Sequence, residues 1–345
     1  MEAARRDLAR MRESADAWQE LRYERTADGR DANEVPRAKV LWALQYDRRP
    51  GDLSLLRFLA EQEALCRRHS PHQGLGEQAA LAGFLLAEHR QAEDAWRQYE
   101  IKRANFDTLL GYDVEHVFAA GVRVTIDHLR ALDHPDRDKA LEYLLGTGVD
   151  EERVEEWARD EREWFPEDPA DEDPLTWFDR AMLVGEKDLA RAELDRWASG
   201  RERDGRTLRT LCFHLMALDE FAEAARVQRE SLAFADNDWD RASAWQTLAG
   251  LERRAGDHGA AWEALCECRR ALEHVDGWRE AGLGRQFVEE LFLLAGQAEG
   301  ELAKEAFAEA ERQAREVPRL PPVVFEAAAE AALNIGDEAA LERYP

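Results

Sequence analysis

In the second half of the chain, apolar residues recur at helical spacing, and the run breaks at a similar short turn every 34 to 40 residues. The breaks read Met182-Leu-Val-Gly-Glu186, Met216-Ala-Leu-Asp-Glu220, Arg254-Ala-Gly-Asp257 and Leu333-Asn-Ile-Gly-Asp337. Their pivots advance from Gly185 to Asp219 and Gly256, with further steps expected near Gly296 and at Gly336. An Ala-rich segment follows each turn, such as Phe221-Ala-Glu-Ala-Ala225. One helix-turn-helix unit cannot bury its apolar face alone, so several must stack. Alternating Val, Ile and Thr runs are lacking. The nearest, Val122-Arg-Val-Thr-Ile126, lies inside a longer helical pattern. The spacing predicts an all-α chain, with helices that include 2–25, 91–107, 113–132, 205–218, 221–235, 239–254, 258–275, 279–295 and 298–315.

Within this pattern, Trp245, Leu248, Ala249, Gly256, Ala261, Leu265 and Cys268 follow Ala242 at W-x2-L-G/A…G…A-x3-F-x2-A offsets. Leu265 stands at the aromatic position and Cys268 at the last small one. A second copy from Gly205 carries Leu208, Leu211, Cys212, Leu215, Phe221, Ala224 and Leu232, and a third around Ala281 keeps Phe287, Val288 and Leu291. On these residues, 171–345 resembles the tetratricopeptide repeat family. The resemblance implies an α-solenoid of stacked helical hairpins, a right-handed superhelix in which small residues let helix backbones approach.

Charge supplies the next division. Asp and Glu number 73 against 47 Lys and Arg, for a net charge of −26, which argues against general binding to nucleic acid or an anionic membrane. Residues 150–173 hold thirteen acids and three arginines, and 166–173 adds Pro166 and Pro169. This stretch reads as an exposed acidic loop, a solvated linker or a strip for a basic partner. The expected organisation is an N-terminal helical region over 1–165, the loop 166–173 and the repeat region 174–345. The N-terminus leads into a charged amphipathic helix, and no apolar run is long enough to span a membrane, so a cytoplasmic location is expected. Only five basic residues are lysines, a usage expected of a high-GC bacterial genome.

Four cysteines at irregular spacing make no disulfide framework. Cys66-x2-His69-x2-His72 comes nearest to metal-ligand spacing, but Pro71 interrupts it and no fourth ligand is at hand, so neither metal nor cofactor is expected. A search for Arg-x4–6-His pairs finds Arg67/His72, Arg123/His128, Arg209/His214, Arg253/His258 and Arg269/His274, against about three expected by chance over the three spacings. Arg123 and His128 form the best candidate for a nuclease-type enzyme. Most tryptophans, including Trp164 and Trp278, sit at core spacing, although Trp239 and Trp278 begin helices beside charged residues and could stay partly open.

The family resemblance implies a ligand groove lined by defined positions of each first helix. Here those positions include Arg206, Arg209, Phe213, Gln246, Arg253, Arg254 and Arg285. Five arginines and one glutamate fall in fifteen such places, against the acidic trend of the chain. The expected function is a non-catalytic scaffold or adaptor that holds a protein or peptide, with an acidic or C-terminal carboxylate segment meeting the arginine forks. The alternatives are the Arg123/His128 enzyme and the sensor half of a signalling system. Pairing of these arginines with neighbouring glutamates is the competing account of the groove.

Overall fold

Apolar residues three and four apart leave one face of a segment seeking burial, and a helix satisfies its own backbone while burying that face. The computed structural model describes residues 1–69 and 74–344 and is all-helical, with no strand among the described residues. An isolated antiparallel bridge joins Arg25 to Asp31. The chain divides into two compact units, Met1–Asp173 and Pro174–Pro345.

The first unit contains α1 (Glu2–Glu13), α2 (Glu34–Tyr46), α3 (Leu53–His69), α4 (Glu77–Ala87), α5 (Ala95–Lys102), α6 (Phe106–Gly111), α7 (Val122–Ala131), α8 (Arg137–Gly146) and α9 (Glu151–Trp164). Its helices are shorter than their apolar spacing predicts. The expected helix 2–25 ends at Ser14, whose extended backbone and side-chain bond to the Asp16 N–H start a separate 3-10 turn. The expected 113–132 is cut at Gly121, whose φ of 105° no helix accommodates. There the Glu151 carboxylate accepts from the Val122 N–H at 2.9 Å and takes over the role of an N-cap. The expected 91–107 likewise divides between α5 and α6, where Asn105 caps the second piece.

Arg37 of α2 ties this unit together without reaching water. It donates to Glu63 at 2.5 Å, to Asp31 at 2.6 Å and to the Leu21 carbonyl at 3.2 Å. The acidic segment after α9 is only partly the open loop that its composition predicts. Glu172 is buried, accepting from the Tyr46 hydroxyl at 2.6 Å and from Gln45 at 2.9 Å.

The second unit contains α10 (Pro174–Leu183), α11 (Lys187–Ala198), α12 (Gly205–Ala217), α13 (Phe221–Ser231), α14 (Asp238–Arg254), α15 (His258–Leu272), α16 (Gly282–Gln297), α17 (Gly300–Ala314), α18 (Pro322–Ile335) and α19 (Glu338–Leu341). Consecutive helices pack in pairs, α10 on α11, α12 on α13, α14 on α15 and α16 on α17, and α16 also packs along α18. At Gly185, Asp219, Gly256 and Gly336 the backbone turns left-handed, with φ between 65° and 85°. In each case the next N–H reaches the carbonyl five residues back: Glu186 to Ala181, Glu220 to Leu215, Asp257 to Glu252 and Asp337 to Ala332, at 2.9–3.0 Å. These bonds satisfy carbonyls that a helix end leaves open.

Gly296 departs from the expected turn and lies inside α16. It lies against α18, where a Cβ would sit 3.7 Å from the Ala331 backbone nitrogen, an ordinary contact distance, and the break falls later, at Ala298–Gly300. Small residues mark other crossings. Cys212 of α12 lies 3.7 Å from the Ala224 carbonyl of α13, and Cys268 of α15 lies 3.3 Å from the Ala242 carbonyl of α14. Among the tryptophans, Trp278 is buried, whereas Trp164 is 72% exposed despite its core-like spacing. No helix is long and apolar enough to cross a membrane among the described residues.

Candidate functional site

Helix α12 starts at Asp204, whose carboxylate accepts from the Thr207 N–H at 2.7 Å. From that start, Leu208, Leu211, Cys212 and Leu215 turn into the core, while Arg206, Arg209 and Phe213 fall on the outer face. Helix α14 is capped in the same way by Asn237, which accepts from the Asp240 N–H at 2.9 Å. Its Ser243, Ala244 and Thr247 face α12 across a cleft of about 490 Å³. Arg209, Phe213 and Met216 form one wall, Phe234 and Asp236 close an end, and Gln228 and Ser231 lie along the floor. Gln228 donates to the Ala244 carbonyl at 3.0 Å, which spans α13 and α14 and holds the floor in place.

Two properties make this cleft chemically available. Phe213 is 68% exposed and Phe234 45%, side chains that packing would ordinarily remove from water. The guanidinium groups of Arg206 and Arg209 have no carboxylate within ion-pair distance among the described residues. Asp236 and Asp240 line the same cleft, so it carries both charge signs beside its exposed rings.

The remaining groove candidates lie elsewhere. Arg253 is only 10% exposed and forks onto Glu290 of α16 at 2.5 and 3.3 Å, with Gln297 accepting at 3.1 Å. Arg254 stacks on the Phe221 ring, 3.8 Å from its centroid. Arg285 donates to the Glu280 carbonyl at 3.0 Å, and Gln246 is half-buried on α14 outside the cleft lining. The structure therefore brings Arg209 and Phe213 together and engages Arg253, Arg254 and Arg285 within the fold. Phe234, Asp236 and Asp240 escape a reading confined to the defined groove positions of each first helix. The one local hint is a phenylalanine just past the end of α13, where a core residue is not required.

The chemical alternatives can be placed as well. Arg123 and His128 stand five residues apart on α7, which separates them by about 140° around the helix axis, so they do not share a face. Cys66 and His69 lie on α3, where the His69 ring stacks on Tyr23 at 5.4 Å, and His72 and Pro71 lie outside the described residues. Among the described residues, no three His, Cys, Asp or Glu side chains converge to hold a metal ion. Burial pushes the Cys66 and Cys212 thiols up to about 11 and Cys268 to about 12, which suppresses the nucleophilic thiolate. A second concavity of about 300 Å³ in the first unit is lined by Arg48, Asp52, Glu88 and His89. Its Arg48 is already spent on the Phe165 and Gln45 carbonyls and the Phe84 ring.

Compared with models of protein families, with curated proteins and with solved structures, the chain matches none of them. The functional reading therefore rests on geometry and chemistry.

Proposed function

We propose that the protein is a non-catalytic binding module whose second unit, a right-handed solenoid of tetratricopeptide-like hairpins, holds an extended peptide in the cleft between α12 and α14. The observation that carries this reading is the exposure of Phe213 and Phe234 beside the unpaired Arg209 in one cleft. Gln228, Ser231 and Thr247 donate to the Ala244, Gln228 and Ser243 carbonyls, which leaves their oxygens in the same space, with the Ser243 hydroxyl, to accept from the N–H groups of a peptide backbone. The partner segment places an apolar side chain between the phenylalanines, an acidic group or C-terminal carboxylate against Arg209 and Arg206, and a basic group toward Asp236 and Asp240.

Selection of a displayed random-peptide library on the full chain tests this. Enriched peptides should combine an apolar residue with an acid, and their binding should weaken with salt because the arginines are exposed and screened within about 10 Å at 0.1 M. Phe213→Ala and Arg209→Glu should each cost about tenfold or more in affinity while leaving the helical signal unchanged. Enriched peptides that bind both variants as tightly as the native chain would place the site elsewhere.

A further inference from the structure

A pit of about 360 Å³ opens at the C-terminal end of the second unit, between α16, α17, α18 and the segment after α19. Phe292, Val317 and Val324 form a floor continuous with the core, and Phe325 and Tyr344 stand as walls. The rings form a connected set: Tyr344 lies 5.8 Å from Phe292 and 6.4 Å from Phe325, centroid to centroid. Phe325 remains 45% exposed.

The rim carries Arg315, Arg319 and Arg343 against one acid, Glu311. Glu311 is occupied: Arg343 donates to it, Arg315 lies at 3.9 Å, and the Tyr344 hydroxyl donates at 3.5 Å. Arg319 has no carboxylate within ion-pair distance among the described residues. In a chain of net charge −26, three arginines around an apolar pit run against the overall field.

The backbone adds a separate observation. Among the described residues, three that are not glycine have positive φ: Arg90, Asp219 and Arg319. The first two close helix ends, their N–H groups reaching Ala87 and Met216 carbonyls. Arg319, at φ 58°, closes no such turn. It sits between Pro318 and Leu320, where glycine would adopt the same conformation at lower cost. Strain of this kind points to what the side chain does there.

We infer that this pit is a binding site for a small monocarboxylate with an apolar body, of the medium-chain fatty acid type, whose alkyl chain lies on Phe292, Val324 and Phe325 and whose carboxylate meets the Arg319 fork. The lining contains no Asn, Gln, Ser or Thr, so it offers nothing to an extended peptide backbone, in contrast to the α12–α14 cleft. A planar guanidinium pairs with a carboxylate through two parallel bonds, which matches one anionic head better than a cation or a neutral alcohol.

Isothermal titration of the full chain with decanoate below its micellar range tests the site, with 1-decanol, acetate and decyltrimethylammonium as comparisons. Decanoate should bind, whereas decanol and acetate should bind at least about tenfold more weakly and the cation not at all. Arg319→Glu should lower decanoate affinity by about tenfold or more, the scale of a lost charge-assisted pair. Arg319→Gly should also weaken binding yet raise the melting temperature, because it removes the guanidinium and relieves the backbone. Arg209→Glu, in the other cleft, should leave decanoate binding unchanged. Equal binding of decanol, tighter binding of the cation, or an unaltered affinity in both Arg319 variants would overturn the assignment. So would decanoate acting only by dissociating a dimer, since the pit would then be an interface between copies.

Discussion

His116 and Glu161 face each other inside the first unit, away from the surface. The imidazole Nδ1 lies 3.0 Å from the Asp113 carbonyl and so carries the proton, leaving Nε2 as an acceptor 3.9 Å from a Glu161 oxygen. Neither Nε2 nor that oxygen has a hydrogen-bond partner. Burial lowers the His116 pKa from 6.5 to about 3, and burial with the nearby Asp113 charge raises that of Glu161 from 4.5 to about 7. The two groups act on stability in opposite directions. His116 contributes above pH 6.5, and its contribution is lost as pH falls toward 3, because the unfolded imidazole takes up the proton first. Glu161 contributes fully below pH 4.5, and its contribution is lost as pH rises toward 7. Between about pH 4.5 and 6.5 the two contributions oppose each other and largely cancel. Urea unfolding should therefore show nearly level stability from this pair there, whereas Glu161→Gln, left with His116 alone, should gain stability as pH rises from about 5 to 6.5. An identical slope in the variant would mean that Glu161 is solvated and ionised throughout. A lone histidine and a lone glutamate in the sequence carry no sign of this pairing, because burial comes from α9 packing over the segment Val114–Phe118.

At the scale of the element, the left-handed turn recurs with the same hydrogen bond at four places. Three use glycine, and the fourth uses Asp219 at φ 65°. Asp tolerates this conformation better than residues with branched side chains, whose Cβ approaches the following carbonyl. Asp219→Gly should keep or raise stability, and Asp219→Val should lower it by about 1–2 kcal/mol. Both variants lose the exposed Lys187 bridge, so their difference isolates the backbone. Equal denaturation midpoints would show that the turn relaxes. These turns are legible from sequence because every bond in them spans five residues. Gly296 carries the same local information and behaves differently. It lies inside α16, which runs on to Gln297 against Ala331 of another helix.

Over the whole molecule, the acidic stretch before Pro174 is tied to the first unit through Glu172 and Pro166, while its other acids stay exposed. Glu172 is held by Tyr46 and Gln45, and the Pro166 carbonyl accepts from Gln45 at 3.1 Å. A chain ended at Asp173 should therefore melt higher than one ended at Phe165, where these bonds are lost at about 1–3 kcal/mol. Indistinguishable melting would return the segment to the role of a solvated linker.

Composition and periodicity by themselves determine that this chain is helical and where most second-unit helices turn. Helices and their caps are closed by bonds to residues three to five positions away, so the information is local. Which arginines remain available is a different matter. Arg209 and Arg253 are alike in sequence terms, each on the outer face of a first helix in its hairpin. Only packing brings Glu290, 37 residues later, onto Arg253 and leaves Arg209 beside two exposed phenylalanines. The same holds for Glu172, buried within a run of exposed acids, and for Arg37, closed in by Asp31 and Glu63. Charge and burial depend on neighbours that the backbone spacing does not specify, so the tertiary structure alone decides them.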